Sequence, residues 1–286
     1  MNISVAPISA HRAAPALAGA FLGQPCADGR PLGKIGTLTA RLAVSEEEIA
    51  KAQLLRQRVF FAEGEAQANC DRDQFDTHCD HLLVIDHSDP AAPNGAIIGT
   101  YRLLRQDRAI RAGGYCSQTE FDVRSLVALH PGRCFLELGR SCVLPQYRST
   151  RTAELLWQGI WAYCRLHNID TMFGCASFPG TLPARHAVPL SFLWNHARAE
   201  GNWAVNPVSS LAVSMDLVPA EAVSAKAALA AMPPLIKGYL RLGGKFSGSA
   251  VIDPQFGTTD VLVILRTEDI AERYLNHYGA DAQRFA

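Results

Sequence analysis

CFLELGRSCVLPQYRSTRTAELLWQGIWAYCRLHNIDTMFGCAS, residues 134–177, decides the fold. Phe135 to Leu144 is short and mainly apolar, and Pro145 ends it because proline has no backbone N–H for a ladder. After the turn, Leu155, Leu156, Gly159, Ile160, Tyr163 and Leu166 recur at helical spacing, which predicts a helix from about Thr152 to His167. Thr171 to Ala176 reads as a second strand. Strand, polar turn, amphipathic helix and strand make an α/β unit. Its turn is where unpaired N–H groups and the positive helix end can meet an anion, with Arg148 and Arg151 adding charge. The plainer reading leaves both arginines as solvated surface.

Composition narrows the class of protein around that unit. A chain of 286 residues with 48% hydrophobic residues buries a substantial core. The 27 basic and 27 acidic residues balance, which removes the usual electrostatic case for a duplex nucleic-acid binder. The eight cysteines form no CxxC pair and suit free thiols in a reducing cytoplasm. His78, Cys79 and His81 lie close together without a second cluster at ligand spacing, so no metal is expected. No run of 18 apolar residues is long enough to span a bilayer. Residues 1–36, small and rich in Pro and Gly, read as a flexible leader to a single domain over 37–286.

Outward from the central unit, Leu38 to Val44 predicts a strand. Ser45 followed by Glu46, Glu47 and Glu48 predicts a helix start with a capping box. The segment 63–80 has no period and many acids, suited equally to receiving an amine or to keeping a loop soluble. HLLVID at 81–86 and AIIGTYRLL at 96–104 predict an antiparallel pair. Arg102 in that second strand, and Glu137 and Arg140 in the central one, are charges in apolar settings, which need partners. Three residues apart, Glu137 and Arg140 fall on opposite faces of a regular strand, and a bulge would change that. Further on, 211–217 predicts a strand, 220–232 an alanine-rich helix stopped by Pro233 and Pro234, 261–265 a late strand and 268–274 a closing helix.

This order of elements resembles the GNAT acyltransferase fold, an α/β architecture with a mixed central sheet flanked by helices. LRQRVFF at 55–61, FDTHCDHLLVID at 75–86, GTYRLL at 99–104 and LELGRSCVLPQYR at 136–148 resemble the ornithine N-alpha-acyltransferases of ornithine-lipid synthesis. They are more distantly similar to the acyl-homoserine-lactone synthases. PPLIKGYLRLGGKFSGSAVIDPQFGTTDVLVIL at 233–265 resembles the first family and has no obvious counterpart in the second.

The resemblance implies transfer of a fatty acyl group, typically 3-hydroxylated, from acyl carrier protein to the alpha-amine of L-ornithine. The donor is an acyl-phosphopantetheine, and no bound cofactor or nucleic acid is involved. A product with one long acyl chain must reach the bilayer, which predicts a cytoplasmic enzyme with reversible contact at the inner membrane; 220–232 and 235–242 are candidate surfaces, with core packing at least an equal reading of both. By similarity, Arg56, Asp76, Arg102, Glu137 and Arg140 match charged residues that structure or serve the active site. QYRSTR at 146–151 lacks the glycines of the usual CoA-pyrophosphate turn, which favours a carrier protein held by Arg148 and Arg151.

Thioester aminolysis asks for positioned reactants, removal of a proton and donors for an oxyanion. Glu137 is the candidate base, with substrate positioning and structural pairing as its other roles. Asp76 stands with Glu137, Arg102 and Arg140 as a catalytic candidate. Arg102 or Arg140 could hold the acceptor carboxylate and Asp71 or Asp76 its ammonium, with Arg56 beside them, or all could form an internal ion network. The rival acceptors are other amino acids or amines, including lactone-synthase chemistry. A catalytically silent GNAT-like interaction module would consume no acyl thioester at all.

Overall fold

The computed structural model describes residues 29–61 and 70–271. In chain order the strands are β1 (Pro31–Ile35), β2 (Leu38–Leu42), β3 (Asp80–Asp86), β4 (Ala96–Arg105), β5 (Phe135–Val143), β6 (Thr171–Pro179), β7 (Ala212–Ser214), β8 (Lys245–Phe246), β9 (Ser249–Asp253) and β10 (Thr258–Arg266). The helices are α1 (Glu46–Phe60), α2 (Gln106–Arg111), α3 (Val123–Ala128), α4 (Thr150–Leu166), α5 (Ala187–Ala197), α6 (Ala225–Ala231) and α7 (Pro234–Arg241). One sheet runs β1-β2-β3-β4-β5-β6-β10-β9-β7, with β8 also pairing β10. Every neighbour is antiparallel except β5 and β6. A parallel pair needs a crossover, and α4 supplies it.

Alternation along the strands sorts the sheet into two faces. Leu82, Val84, Tyr101, Leu103, Leu136, Leu138, Ala176, Phe178, Val261 and Val263 turn to the larger core, shared with Leu155, Leu156, Ile160 and Tyr163 of α4 and with Leu190, Leu193, Ile236 and Tyr239. Leu104, Phe135, Phe173, Leu262 and Ile264 turn the other way, to Tyr115, Phe121, Val123 and Leu126. Ala52 of α1 packs on Leu83 and Ile85 of that second face. The helix starts as expected: Ser45 Oγ accepts from the Glu48 N–H at 3.3 Å. Glu48, however, reaches back to the Val44 N–H at 2.9 Å while also binding Arg41, so the box closes one residue earlier than its usual pattern.

Three expectations change. The leader does not extend to residue 36, because Pro31–Ile35 is already the edge strand of the sheet, its Leu32 buried in the larger core; residues 1–28 lie outside the described residues. The alanine-rich segment is not one helix: a single 3-10 turn at Ala220–Ala222 precedes α6, and Pro233 opens α7. As a membrane surface, α7 is also compromised, since its Ile236 and Tyr239 are buried in the core. Of the closing helix expected over 268–274, the described part begins as a 3-10 turn at Thr267–Asp269, and residues beyond 271 lie outside the described residues. No helix among the described residues is long and apolar enough to cross a membrane.

Candidate active site

The central unit opens a gap in the sheet. β5 and β6 pair only through Phe135–Thr171, Leu136–Met172 and Glu137–Phe173. Just beyond, a Cβ on Gly174 would lie 2.2 Å from the Leu138 carbonyl oxygen, so only glycine permits the last close approach. From there β5 stays with β4 as far as Val143, and β6 stays with β10 as far as Pro179. The β5 backbone beyond Leu138 therefore has no ladder partner in β6 and offers N–H and C=O groups to whatever enters.

A bulge places the charges along this gap. The β4–β5 register shifts between Thr100 and Arg102, and Arg140 takes a φ of 51°, an uncommon left-handed value for a residue with a side chain. Glu137 and Arg140 thus escape the strict alternation of a regular strand. Arg140 Nε donates to Asp71 Oδ2 at 3.0 Å, and its guanidinium carbon lies 4.6 Å from the Phe256 ring centre. Phe256, in the β9–β10 turn, also meets Phe60 and Phe61 at the end of α1.

The predicted charges assemble into one ion lattice. Arg56 has no exposed surface; its Nε donates to Asp71 Oδ2 at 2.8 Å, its Nη1 to Asp76 Oδ1 at 2.7 Å, and its Nη2 to the Asp71 carbonyl. Arg102 Nη1 donates to both Asp73 oxygens at 2.7 Å and reaches Asp76 at 3.4 Å, while Nη2 donates to Cys116 Sγ. Burial alone would raise the Asp76 pKa, but Arg56, the Asp73 N–H and Arg102 together hold it well below the usual carboxylate range. Asp71 and Asp76 are therefore committed to guanidinium groups, and buried Arg102 spends Nη1 on Asp73 and Asp76 and a donor of Nη2 on Cys116. Asp73, the bridge between Arg102 and Arg140, was passed over among the acids of 63–80. Its signal is the spacing of Asp73 and Asp76, which turns both carboxylates toward one buried arginine.

Glu137 is 3% exposed and accepts from the Cys116 N–H at 2.8 Å, the Ser117 N–H at 2.7 Å and the Ser117 hydroxyl at 2.6 Å. These donors fix a 3-10 turn at Cys116–Thr119 against the sheet. Directly after that turn comes Glu120, which sequence reasoning missed. Its pKa is pushed up to about 7 by burial and by the nearby Asp260 and Asp253 carboxylates. Burial likewise pushes Asp260 up to about 6. One carboxylate oxygen from each of Glu120, Asp253 and Asp260 lies within 4.8 Å of the other two, the one group among the described residues with the proximity to hold a cation.

At the far end of β5, Pro145–Tyr147 forms a 3-10 turn, and Ser149 Oγ caps α4 by accepting from the Thr152 N–H at 3.3 Å. Arg148 and Arg151 are exposed there, with Arg148 Nε donating to the Val143 carbonyl at 3.1 Å. The thiols divide by position: Cys142 is buried and pushed up to about 12 by desolvation, and burial raises Cys175 as well, so neither is a ready nucleophile. Cys134 is exposed.

A mixed sheet whose one parallel pair parts beside a bulged strand, with a helix crossing between them, defines the class: the chain has the GNAT acyltransferase fold, and the sequence pattern described as "Acetyltransferase (GNAT) domain" matches residues 55–158. The span runs from the end of α1 into α4 and contains the whole ion lattice. Similarity then reaches far beyond that span. The L-ornithine N(alpha)-acyltransferase of Rhizobium meliloti (strain 1021) is 53% identical over 262 residues, covering 89% of this chain and 88% of that protein. The L-ornithine N(alpha)-acyltransferase of Brucella abortus (strain 2308) is 54% identical over 261 residues, covering 89% and 93%. The chain belongs to the L-ornithine N(alpha)-acyltransferase family. Among solved structures, FeeM, an N-acyl amino acid synthase from uncultured soil microbes, has a TM-score of 0.47 at 12% identity and covers 81% of this chain and 91% of that one.

Proposed function

We propose that the protein transfers a fatty acyl group, typically 3-hydroxylated, from the phosphopantetheine thioester of acyl carrier protein to the alpha-amine of L-ornithine. Over half-identity to ornithine acyltransferases across nearly nine-tenths of the chain carries this reading. The gap between β5 and β6 supports it chemically. An extended pantetheine arm entering there meets β5 backbone groups that lack a strand partner, in the manner of an added strand. The amine nitrogen attacks the thioester carbon, the C–S bond breaks, the thiolate leaves, and the proton shed by nitrogen balances it as a thiol. Backbone N–H groups of β5 are suited to the transient oxyanion. A single-chain product enters a bilayer most easily at its surface, so the same reading keeps the enzyme in the cytoplasm with reversible contact at the inner membrane. Purified protein given 3-hydroxyacyl carrier protein should acylate ornithine on its alpha-amine. Fragmentation that locates the acyl group on another acceptor under competition, or no turnover at all, would reject the reading.

Arg148 and Arg151 then belong to the donor. Both are exposed at the α4 end of the gap, where a single phosphate and the acidic surface of a carrier can approach. Acyl carrier protein should give a kcat/KM at least about 10-fold above acyl-CoA of the same chain. Arg148→Ala and Arg151→Ala should narrow that preference and flatten its dependence on salt, whereas equal constants for the two donors would sink the assignment.

A further inference from the structure

We propose that Glu120, Asp253 and Asp260 receive the side-chain ammonium of the acceptor, the group that separates a diamino acid from a neutral amino acid of the same length. The inference deepens the ornithine reading and rests on it. Asp260 is 5% exposed, and its Oδ1 has no hydrogen-bond partner among the described residues. Asp253 uses Oδ1 to hold its own turn, accepting from the Gln255 N–H at 2.7 Å and the Phe256 N–H at 3.2 Å. Among the described residues the Glu120 carboxylate has only the Cys175 thiol, 3.6 Å from Oε2. Three acceptors thus converge with their capacity largely unused, and an ammonium brings three donors.

Position argues for the same occupant. Asp260 pairs with Ser177 in the β6–β10 ladder and Leu262 with Cys175, so the cluster lies on the face that carries Phe173 opposite Glu137. It flanks the part of β6 just beyond Gly174, where the two strands separate. The other acids of that region are committed: Asp71, Asp73 and Asp76 to arginines, Glu137 to its three donors. Two of the three members come from 233–265, outside the span of the GNAT domain match. A half-buried group of like charges is costly without a counter-ion: burial first, and then mutual repulsion, raises Glu120 to about 7 and Asp260 to about 6, and a cation entering the cluster offsets both.

The test compares ornithine with norvaline, the same carbon skeleton without the terminal amine. Wild type should prefer ornithine by at least about 100-fold in kcat/KM, and Asp260→Asn and Glu120→Gln should bring that ratio below about 10, chiefly by raising KM for ornithine. Ornithine should also raise the melting temperature of the wild type at pH 8 more than norvaline does, a readout that needs no turnover. Should either variant fail to fold, Asp253→Asn, in a partly exposed turn, carries the same expectation. No acylation of ornithine by wild type rejects the proposed reaction itself. Acylation with an unchanged ratio in the variants rejects only the ammonium site. Equal losses with both acceptors and a shifted pH–rate profile would assign Glu120 to proton transfer instead. Activity abolished by EDTA and restored by Mg²⁺ or Mn²⁺ would make the cluster a metal site and overturn the inference.

Discussion

Arg56→Met should lower stability by about 3–5 kcal/mol, because it leaves Asp71 and Asp76 buried without the charge that holds them. In a domain of this size that is a fall of roughly 10 °C in melting temperature. Arg56→Lys should recover little of it, since one ammonium cannot reproduce a planar fork that serves two carboxylates and a carbonyl. The loss has a defined pH dependence. In the wild type Asp76 titrates well below an unfolded aspartate, so its contribution is present in full above the ordinary aspartate range and is lost as pH falls below that range toward its own lower pKa. In the variant the unpaired carboxylate gains a proton more readily, and the gap between the two proteins should narrow below about pH 4. Melting curves from pH 3 to 8 measure this, and a variant melting within about a degree of wild type at pH 7 would refute the lattice as a stabilising unit.

Glu137→Gln should slow acyl transfer on the order of 10- to 100-fold without altering the shape of its pH profile. A carboxylate already accepting two N–H groups and a hydroxyl has little capacity left to take a proton from an amine. Its replacement sets an amide NH₂ against one of those donors. That should cost about 1–3 kcal/mol and displace the Cys116–Thr119 turn, on which Glu120 depends. Small displacements of a positioning element suffice for a rate loss of that order. Single-turnover rates across pH separate this role from general-base catalysis: a loss that fades as pH rises and more amine arrives unprotonated would restore Glu137 as the base.

The sequence carried the centre of the fold because its periods are long and clean. α4 has a continuous apolar stripe, and β3, β4, β5 and β10 are apolar runs closed by turn residues. α2 and α3, six residues each, are too short to show a period, and β7 and β8 are shorter still. A charge in an apolar strand located Arg102 and Glu137, and the same signal was present in TTDVLVIL at Asp260, where it went unused. Glu120 and Asp253 carried no local mark at all. Asp253 becomes a neighbour of Asp260 through the β9–β10 pairing, and Glu120 through β6 lying beside β10 and through Glu137, which anchors the turn before it. The bulge at Arg140 was equally hidden, since nothing in LELGRSCV demands a left-handed residue there.

The lattice of Arg56, Arg102 and Arg140 with Asp71, Asp73 and Asp76 joins α1, β4 and β5 to the loop ahead of β3 through matched opposite charges. Three positive and three negative groups cancel, and no single substitution that removes a charge can leave that balance intact. Divergence at this wall must therefore proceed by coupled steps, a cation and its counter-charge exchanged together. The rim of the gap, where Arg148 and Arg151 face solvent, can drift one residue at a time. On the proposed assignment of Arg148 and Arg151 to the donor, donor preference is then the more readily evolvable property of this scaffold, and the charge lattice the more inert one.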